Sequence, residues 1–180
     1  IFAKFSEEPD AAASLAQVHR ATLKSGEDVI VKVQRPDISS KIDSDLDLLY
    51  SMAQIITRNL SEDLVYQPTE VVDEFKHWIK KELDFNQEAR NIERFKNHFQ
   101  NNENIRIHSV YWDYCTSKVI TMEYIEGIRI SDIDKIEAAG LDRKKIARIG
   151  ADITLTQIFD YGFFHGDPHP GNIFVLKGTV

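Results

Sequence analysis

His165-Gly166-Asp167-Pro168-His169-Pro170-Gly171-Asn172 follows a long helical pattern and precedes a short apolar run, and its reading decides the fold. Asp167 and Asn172 stand five positions apart on a loop rich in proline and glycine. Pro168 and Pro170 fix φ and stiffen that loop. A stiff loop holds a carboxylate and an amide oxygen at a set distance. Phosphoryl transfer uses such a pair: the carboxylate orients or deprotonates the attacking hydroxyl, and the oxygen ligates Mg²⁺. The same residues could instead form a tight turn in which Asp167 and Asn172 cap local backbone groups. The helix before the loop and the strand after it favour the first reading. A zinc site on His165 and His169 is the weaker alternative. Zinc histidines usually sit on helices or come with further ligands, whereas two prolines interrupt this segment and Cys115 is far away in sequence.

Working outward, two β-rich runs at residues 17–23 and 28–33 flank Lys24-Ser25-Gly26-Glu27, which predicts a hairpin. Pro36 ends the second strand, since proline cannot donate to a ladder. Lys32 lies inside that strand, in Val-Ile-Val-Lys-Val. By pattern alone such a lysine snorkels to water. Glu88, by pattern alone, is a solvated helix residue. Read together they suggest something else. Glu88 shares a helical pattern with Ala89, Ile92 and Phe95, and a strand lysine paired with a helix glutamate can present its ammonium to phosphate oxygens.

Helical spacing of Leu46, Leu49, Met52, Ile55 and Ile56 predicts one helix with an apolar stripe. A second is expected from Pro68, carrying Val71, Val72, Phe75, Trp78 and Ile79. Strands are expected at residues 105–111 and 118–124. Ser131 reads as the N-cap of a short helix. A longer helix is expected over about residues 142–160, burying Ile146, Ile149, Ile153, Ile158 and Phe159 and ending at Gly162. The order predicts an α+β region over residues 1–124, and a helical region with the loop above over residues 125–180. Two weaker signals remain. Ala11-Ala12-Ala13-Ser14 precedes the first hairpin strand, and its small side chains let backbone approach a ligand. Alanine does not take positive φ cheaply, so this loop should be stiffer than a glycine-rich one. Glu82-Leu83-Asp84 places Asp84 one turn before Glu88, where like charges need a cation or a helix N-terminus for compensation.

Composition narrows the classes. The 180 residues carry 29 Asp+Glu against 22 Lys+Arg, a net charge of −7, which disfavours sequence-independent nucleic-acid binding. One cysteine cannot form an internal disulfide, so a reducing, intracellular setting is expected. No apolar run is long enough to span a bilayer. The start at Ile1 and the end in what looks like half a hairpin suggest a piece of a longer protein.

In combination these motifs resemble the UbiB/ADCK (AarF) family of atypical protein-kinase-like proteins, across essentially the whole chain. The family replaces the Gly-rich loop with an Ala-rich one, as Ala11, Ala12, Ala13 and Ser14 do here. The resemblance implies a kinase-like fold with helices inserted in the N-terminal lobe and part of a C-terminal lobe. It implies ATP or ADP with Mg²⁺ as cofactors. Lys32 would contact the α/β-phosphates and pair with Glu88. Met122 would back the adenine pocket, and Glu123 and Ile125 would offer backbone groups to adenine. Asp167 would be the catalytic aspartate and Asn172 a magnesium ligand. Glu82 and Asp84 would form the family's Glu-x-Asp signature, engaging a lysine from a Lys-x-Gly-Gln segment. These distant stretches are expected to gather around one phosphate-sized cleft. The resemblance further implies work on a lipid or isoprenoid-quinone precursor, as in ubiquinone metabolism, with the parent protein membrane-associated. It leaves open a membrane surface or a second copy as partner. Two departures stand out. Lys32 and Glu88 are 56 positions apart, and neither Lys-x-Gly-Gln nor Asp-Phe-Gly occurs in the 180 residues. Two other functions use similar residues: a small-molecule kinase of the aminoglycoside or choline phosphotransferase type, and a nucleotide-binding regulator without turnover.

Overall fold

The structure, a computed structural model, describes residues 1–59 and 66–176. The chain divides into two compact units, Ile1–Asn91 with Val110–Glu123, and Ile92–Ser109 with Tyr124–Val180.

The first unit is built on an antiparallel sheet. Strands β3 (Ala16–Leu23) and β4 (Asp28–Gln34) form the expected hairpin, with Val18 opposite Lys32 and Thr22 opposite Asp28. Gly26 sits at φ +104° in the turn, where a side chain would be strained. β1 (Phe2–Phe5) and the short β2 (Ala11–Ala12) pair with β3, and β5 (Val119–Glu123) pairs with β4. Side chains alternate between the faces of a strand. Val29 and Val31 point into a core with Ala21 and Leu23, covered by Phe2, Val33, Tyr111, Tyr114 and Val119. Fully burying each valine or leucine of this core contributes about 1.5–3 kcal/mol. Lys32 and Gln34 therefore share the opposite face.

Three helices belong to or begin in this unit: α1 (Ile38–Asn59), α2 (Pro68–Glu82) and α3 (Phe85–His98). α2 opens with proline at its first turn and a capping box between Gln67 and Glu70. The expected apolar stripes of α1 and α2 exist, but within this chain they are largely uncovered. In α1 only Leu46 and Ala53 are buried, while Leu49, Met52, Ile55 and Ile56 are exposed. In α2 nothing is buried, and Trp78 keeps 54% of its surface, stacked on Phe75. The expected strand at residues 105–111 does not form either. Only its end reaches a strand: Val110 makes an isolated bridge to Met122, and the Tyr111 amide donates to the Thr121 carbonyl at 2.9 Å.

In the second unit, α4 (Ile133–Ala138) is capped by Asp132, whose carboxylate accepts from the Lys135 amide, and not by Ser131. α5 (Arg143–Phe159) is capped by Asp142, which accepts from the Lys144 and Lys145 amides. β6 (Ile128–Arg129) pairs with β7 (Phe174–Val175). Ile136, Ile146 and Val175 form the core there, covered by Ile128, Ile130 and Leu141. Ile153 is also buried, but Ile158 and Phe159 are not: Phe159 is 78% exposed at the helix end. The turn after α5, with Gly162 at φ +56°, brings Tyr161 and Phe163 onto the C-terminal half of α3. Tyr161 stacks on His98 at 4.4 Å and its hydroxyl donates to the His98 carbonyl at 2.8 Å. The expected C-terminal hairpin falls partly on residues 177–180, outside the described residues.

Candidate functional site

The 56-residue separation between Lys32 and Glu88 closes in the fold. The Lys32 Nζ donates to both carboxylate oxygens of Glu88, at 2.7 Å and 3.0 Å. The reason lies in the spacing along α3. Phe85, Glu88 and Ala89 are three and four residues apart and share one helix face. Phe85 and Ala89 are buried, so Glu88 is carried inward with them. The Phe85 ring lies under the Lys32 ammonium, 4.9 Å from its centroid. The Lys32 and Glu88 side chains retain 25% and 37% of their surface, so the pair is worth about 1 kcal/mol or less to folding. Its consequence is placement: the lysine is held at a fixed point on an otherwise apolar strand.

Asp84 does not face Glu88 as an unpaired like charge. It stands at the start of α3, where its Oδ1 accepts from the backbone amide and side chain of Asn86. Arg90 approaches its other oxygen at 3.6 Å. The cation that the acidic segment needs is thus split between Lys32 and Arg90. Glu82 is exposed at the end of α2.

The alanine loop is tied down from several sides. Ala11 and Ala12 pair with Val18 and Gln17, and the Ala13 amide donates to Ala16. Arg35 Nε donates to the Ala13 carbonyl at 3.1 Å. Asp10 pairs with Arg20 at 3.2 Å, and the His19 ring, stacked on Phe5, hydrogen-bonds the Ser6 carbonyl through Nδ1. No alanine of the loop takes positive φ; among the described non-glycine residues Asp37 does. The Ser14 hydroxyl is exposed. On β5, Met122 is buried opposite Ile30, and Glu123 stands opposite Val29 at the strand end. Ile125 lies in the coil that leads to β6.

In the second unit the loop braces itself. The Asp167 amide donates to His165 Nδ1 and the Gly171 amide donates to His169 Nδ1. A Cβ on Gly171 would lie 3.0 Å from that imidazole nitrogen, so a side chain there would push the ring aside by a few tenths of an ångström. The histidines thus serve as turn acceptors through Nδ1, and among the described residues no group of three or more His, Cys, Asp or Glu is placed to hold a metal ion. The Asn172 Nδ2 donates to the Asp167 carbonyl at 3.4 Å, which leaves the amide oxygen as the atom able to face a cation. The Asp167 carboxylate takes no hydrogen bond among the described residues. α5 anchors the loop through Gln157, which accepts from the His165 amide at 2.9 Å and, through its carbonyl, from Phe163. Gln34, Arg35 and Gln157 were not legible as site residues. Each acts through a backbone partner distant in sequence, and no spacing rule encodes that.

An antiparallel sheet with a strand lysine paired to a helix glutamate, in a chain that ends on a His-Gly-Asp loop, defines the class: a protein-kinase-like fold. Residues 1–179 match the model of the ABC1 atypical kinase-like domain, and the chain belongs to this family. It is 45% identical over 175 residues to the probable protein kinase UbiB of Marinobacter nauticus, covering 97% of this chain and 32% of that protein. It is 43% identical over 177 residues to Protein ACTIVITY OF BC1 COMPLEX KINASE 8, chloroplastic, of Arabidopsis thaliana, covering 97% of this chain and 23% of that one. Among solved structures it resembles Rv3197 from Mycobacterium tuberculosis, solved as a complex with erythromycin. The TM-score is 0.81 at 30% identity, over 98% of this chain and 44% of that one. The chain thus spans about a third of the length of the bacterial relatives it matches. No helix among the described residues is long and apolar enough to cross a membrane.

Proposed function

We propose that this chain binds Mg-ATP or Mg-ADP as the nucleotide-handling part of an atypical kinase or ATPase. The observation that carries the reading is the Lys32–Glu88 ion pair. A strand lysine clamped by a carboxylate at 2.7 Å is held in position, which is what a contact to the α/β-phosphates requires. The alanine loop of Ala11, Ala12, Ala13 and Ser14 would lie along the phosphates. Its pairing to β3 makes it a stiff cover, which suits a restricted substrate range better than broad protein phosphorylation. Met122 would close the back of the adenine site, and the backbone at Glu123 and Ile125 would meet the adenine edge. Asp167, whose carboxylate takes no hydrogen bond among the described residues, would orient the attacking hydroxyl and accept its proton. The Asn172 side-chain oxygen, left over when its nitrogen binds Asp167, fits a magnesium ligand. Bound Mg²⁺ supplies charge neutralisation at the phosphates.

The family resemblance supports an isoprenoid-lipid or quinone precursor as the class of molecule the parent protein works on, at a membrane surface. The test is turnover. ATPase activity of the intact protein stimulated by isoprenoid-like phenols or lipid vesicles is expected. Phosphorylation of an aminoglycoside or choline would replace this reading with a small-molecule kinase. Nucleotide binding with no turnover under any of these conditions would leave a regulator.

A further inference from the structure

We propose that Gln34 is a positioning residue for the Lys32–Glu88 pair, acting by clamping the junction between α2 and α3 onto strand β4. Gln34 lies two residues after Lys32, so both side chains leave the same face of β4. It is a buried polar residue, 8% exposed. Its Nε2 donates to the Leu83 carbonyl at 3.0 Å. Leu83 is the residue that closes α2, where helix carbonyls lack partners within the helix. Five residues further along the chain stands Glu88. A second bond lies on the far side of the junction: the Phe85 amide donates to the Ser117 carbonyl at 3.0 Å. Between them the Phe85 ring sits under the Lys32 ammonium. The Gln34 backbone is itself fixed, since its amide donates to Lys118 at 2.9 Å. The same strand therefore carries the lysine and holds the start of the helix that carries the glutamate. Glu88 reaches Lys32 because α3 begins at a place set by Gln34.

A buried glutamine that only satisfies a carbonyl would affect stability alone. A positioning residue must act through the ion pair. The proposal deepens the reading in which Lys32 meets phosphate, and its test needs no nucleotide. Acylation of individual lysines in the intact protein by an amine-reactive ester is followed by mass spectrometry. Such a reagent is attacked by the nitrogen lone pair, so a lysine held as an ammonium against a carboxylate reacts more slowly. Glu88→Gln is expected to speed Lys32 acylation roughly two- to five-fold, the scale of a partly exposed pair. Gln34→Met, which keeps the volume and removes the donor, is expected to do the same while exposed Lys24 and Lys41 react as in the wild type. The double variant is expected to match Glu88→Gln alone, because the second change acts through a pair already lost. Wild-type reactivity of Lys32 in Gln34→Met overturns the proposal, and so does an independent, multiplying effect in the double variant. Should Gln34→Met fail to fold, Gln34→Leu removes the same donor without adding a charge beside Lys32 and carries the same expectations. If the lysine rates behave as stated but Mg-ATP does not bind, the clamp stands and the nucleotide reading falls.

Discussion

At the scale of residues, Lys32 marks the difference between a pattern and a place. Within its strand it is one charge among valines. Only Glu88, 56 positions later, turns it into an anchored cation. Asp167 illustrates the converse, since among the described residues no partner holds its carboxylate and its identity in the loop carries the reading. If it acts as the acid–base group, Asp167→Asn lowers ATP turnover by about 10²–10⁴-fold while leaving nucleotide binding intact. Steady-state ATPase alongside a binding isotherm checks both halves, and undiminished turnover removes Asp167 from the chemistry. Cys115 gives a pH prediction. Burial pushes its thiol up from the ordinary value, partly offset by the hydrogen bond from the Thr121 backbone. The folded thiol then titrates above the unfolded one. The stability this contributes is fully present below the unfolded pKa and is lost as pH rises through the folded one. Alkylation by iodoacetamide should accordingly turn on at higher pH in the folded chain than for a free cysteine. An onset at or below that of free cysteine contradicts this.

At the scale of elements, local signals served well where a single stretch decides the outcome. The β3–β4 hairpin follows from two β-branched runs and Gly26. The starts of α2 and α5 follow from a proline and an aspartate at their ends. The failures occur where a neighbour was needed. Residues 105–109 have strand composition but do not form a strand. Asp132 caps α4 although Ser131 is an equally good cap by type, because the side chain at 132 is the one facing the Lys135 amide. Two glycines give opposite predictions. At Gly127 a Cβ would stand 2.9 Å from Leu176 and 3.2 Å from the Val175 carbonyl, so Gly127→Ala should destabilise by about 1–3 kcal/mol. At Gly150, inside α5, nothing lies within 4 Å, so Gly150→Ala should stabilise by roughly 0.5–1 kcal/mol. Denaturant midpoints of the two variants test this pair, and shifts in the same direction count against the packing described at β6–β7.

At the scale of the whole molecule, ligand linkage is the broadest test. A ligand that binds only the folded state at about 100 times its Kd adds roughly 2.7 kcal/mol, which appears as a rise in Tm. Mg-ATP or Mg-ADP should produce that rise in the intact protein, and no rise at millimolar nucleotide sinks the nucleotide reading. The stripes of α1 and α2 also belong to this scale. A period of three to four residues says that a face is apolar, but not what covers it, and within this chain Met52, Ile55, Val71 and Trp78 stay exposed. What the sequence by itself determined was the hairpin, the helix order, the identity of Lys32, Glu88 and the Asp167–Asn172 loop, and through them the kinase-like family. These are recorded in residue type and short spacing. Only the tertiary structure decided that Glu88 meets Lys32 at 2.7 Å, that Gln34 holds Leu83, and that the loop histidines accept from backbone amides. Hydrogen bonds and ion pairs reach about 3 Å, and distance along a chain does not report distance in space until the core has brought its strands and helices together.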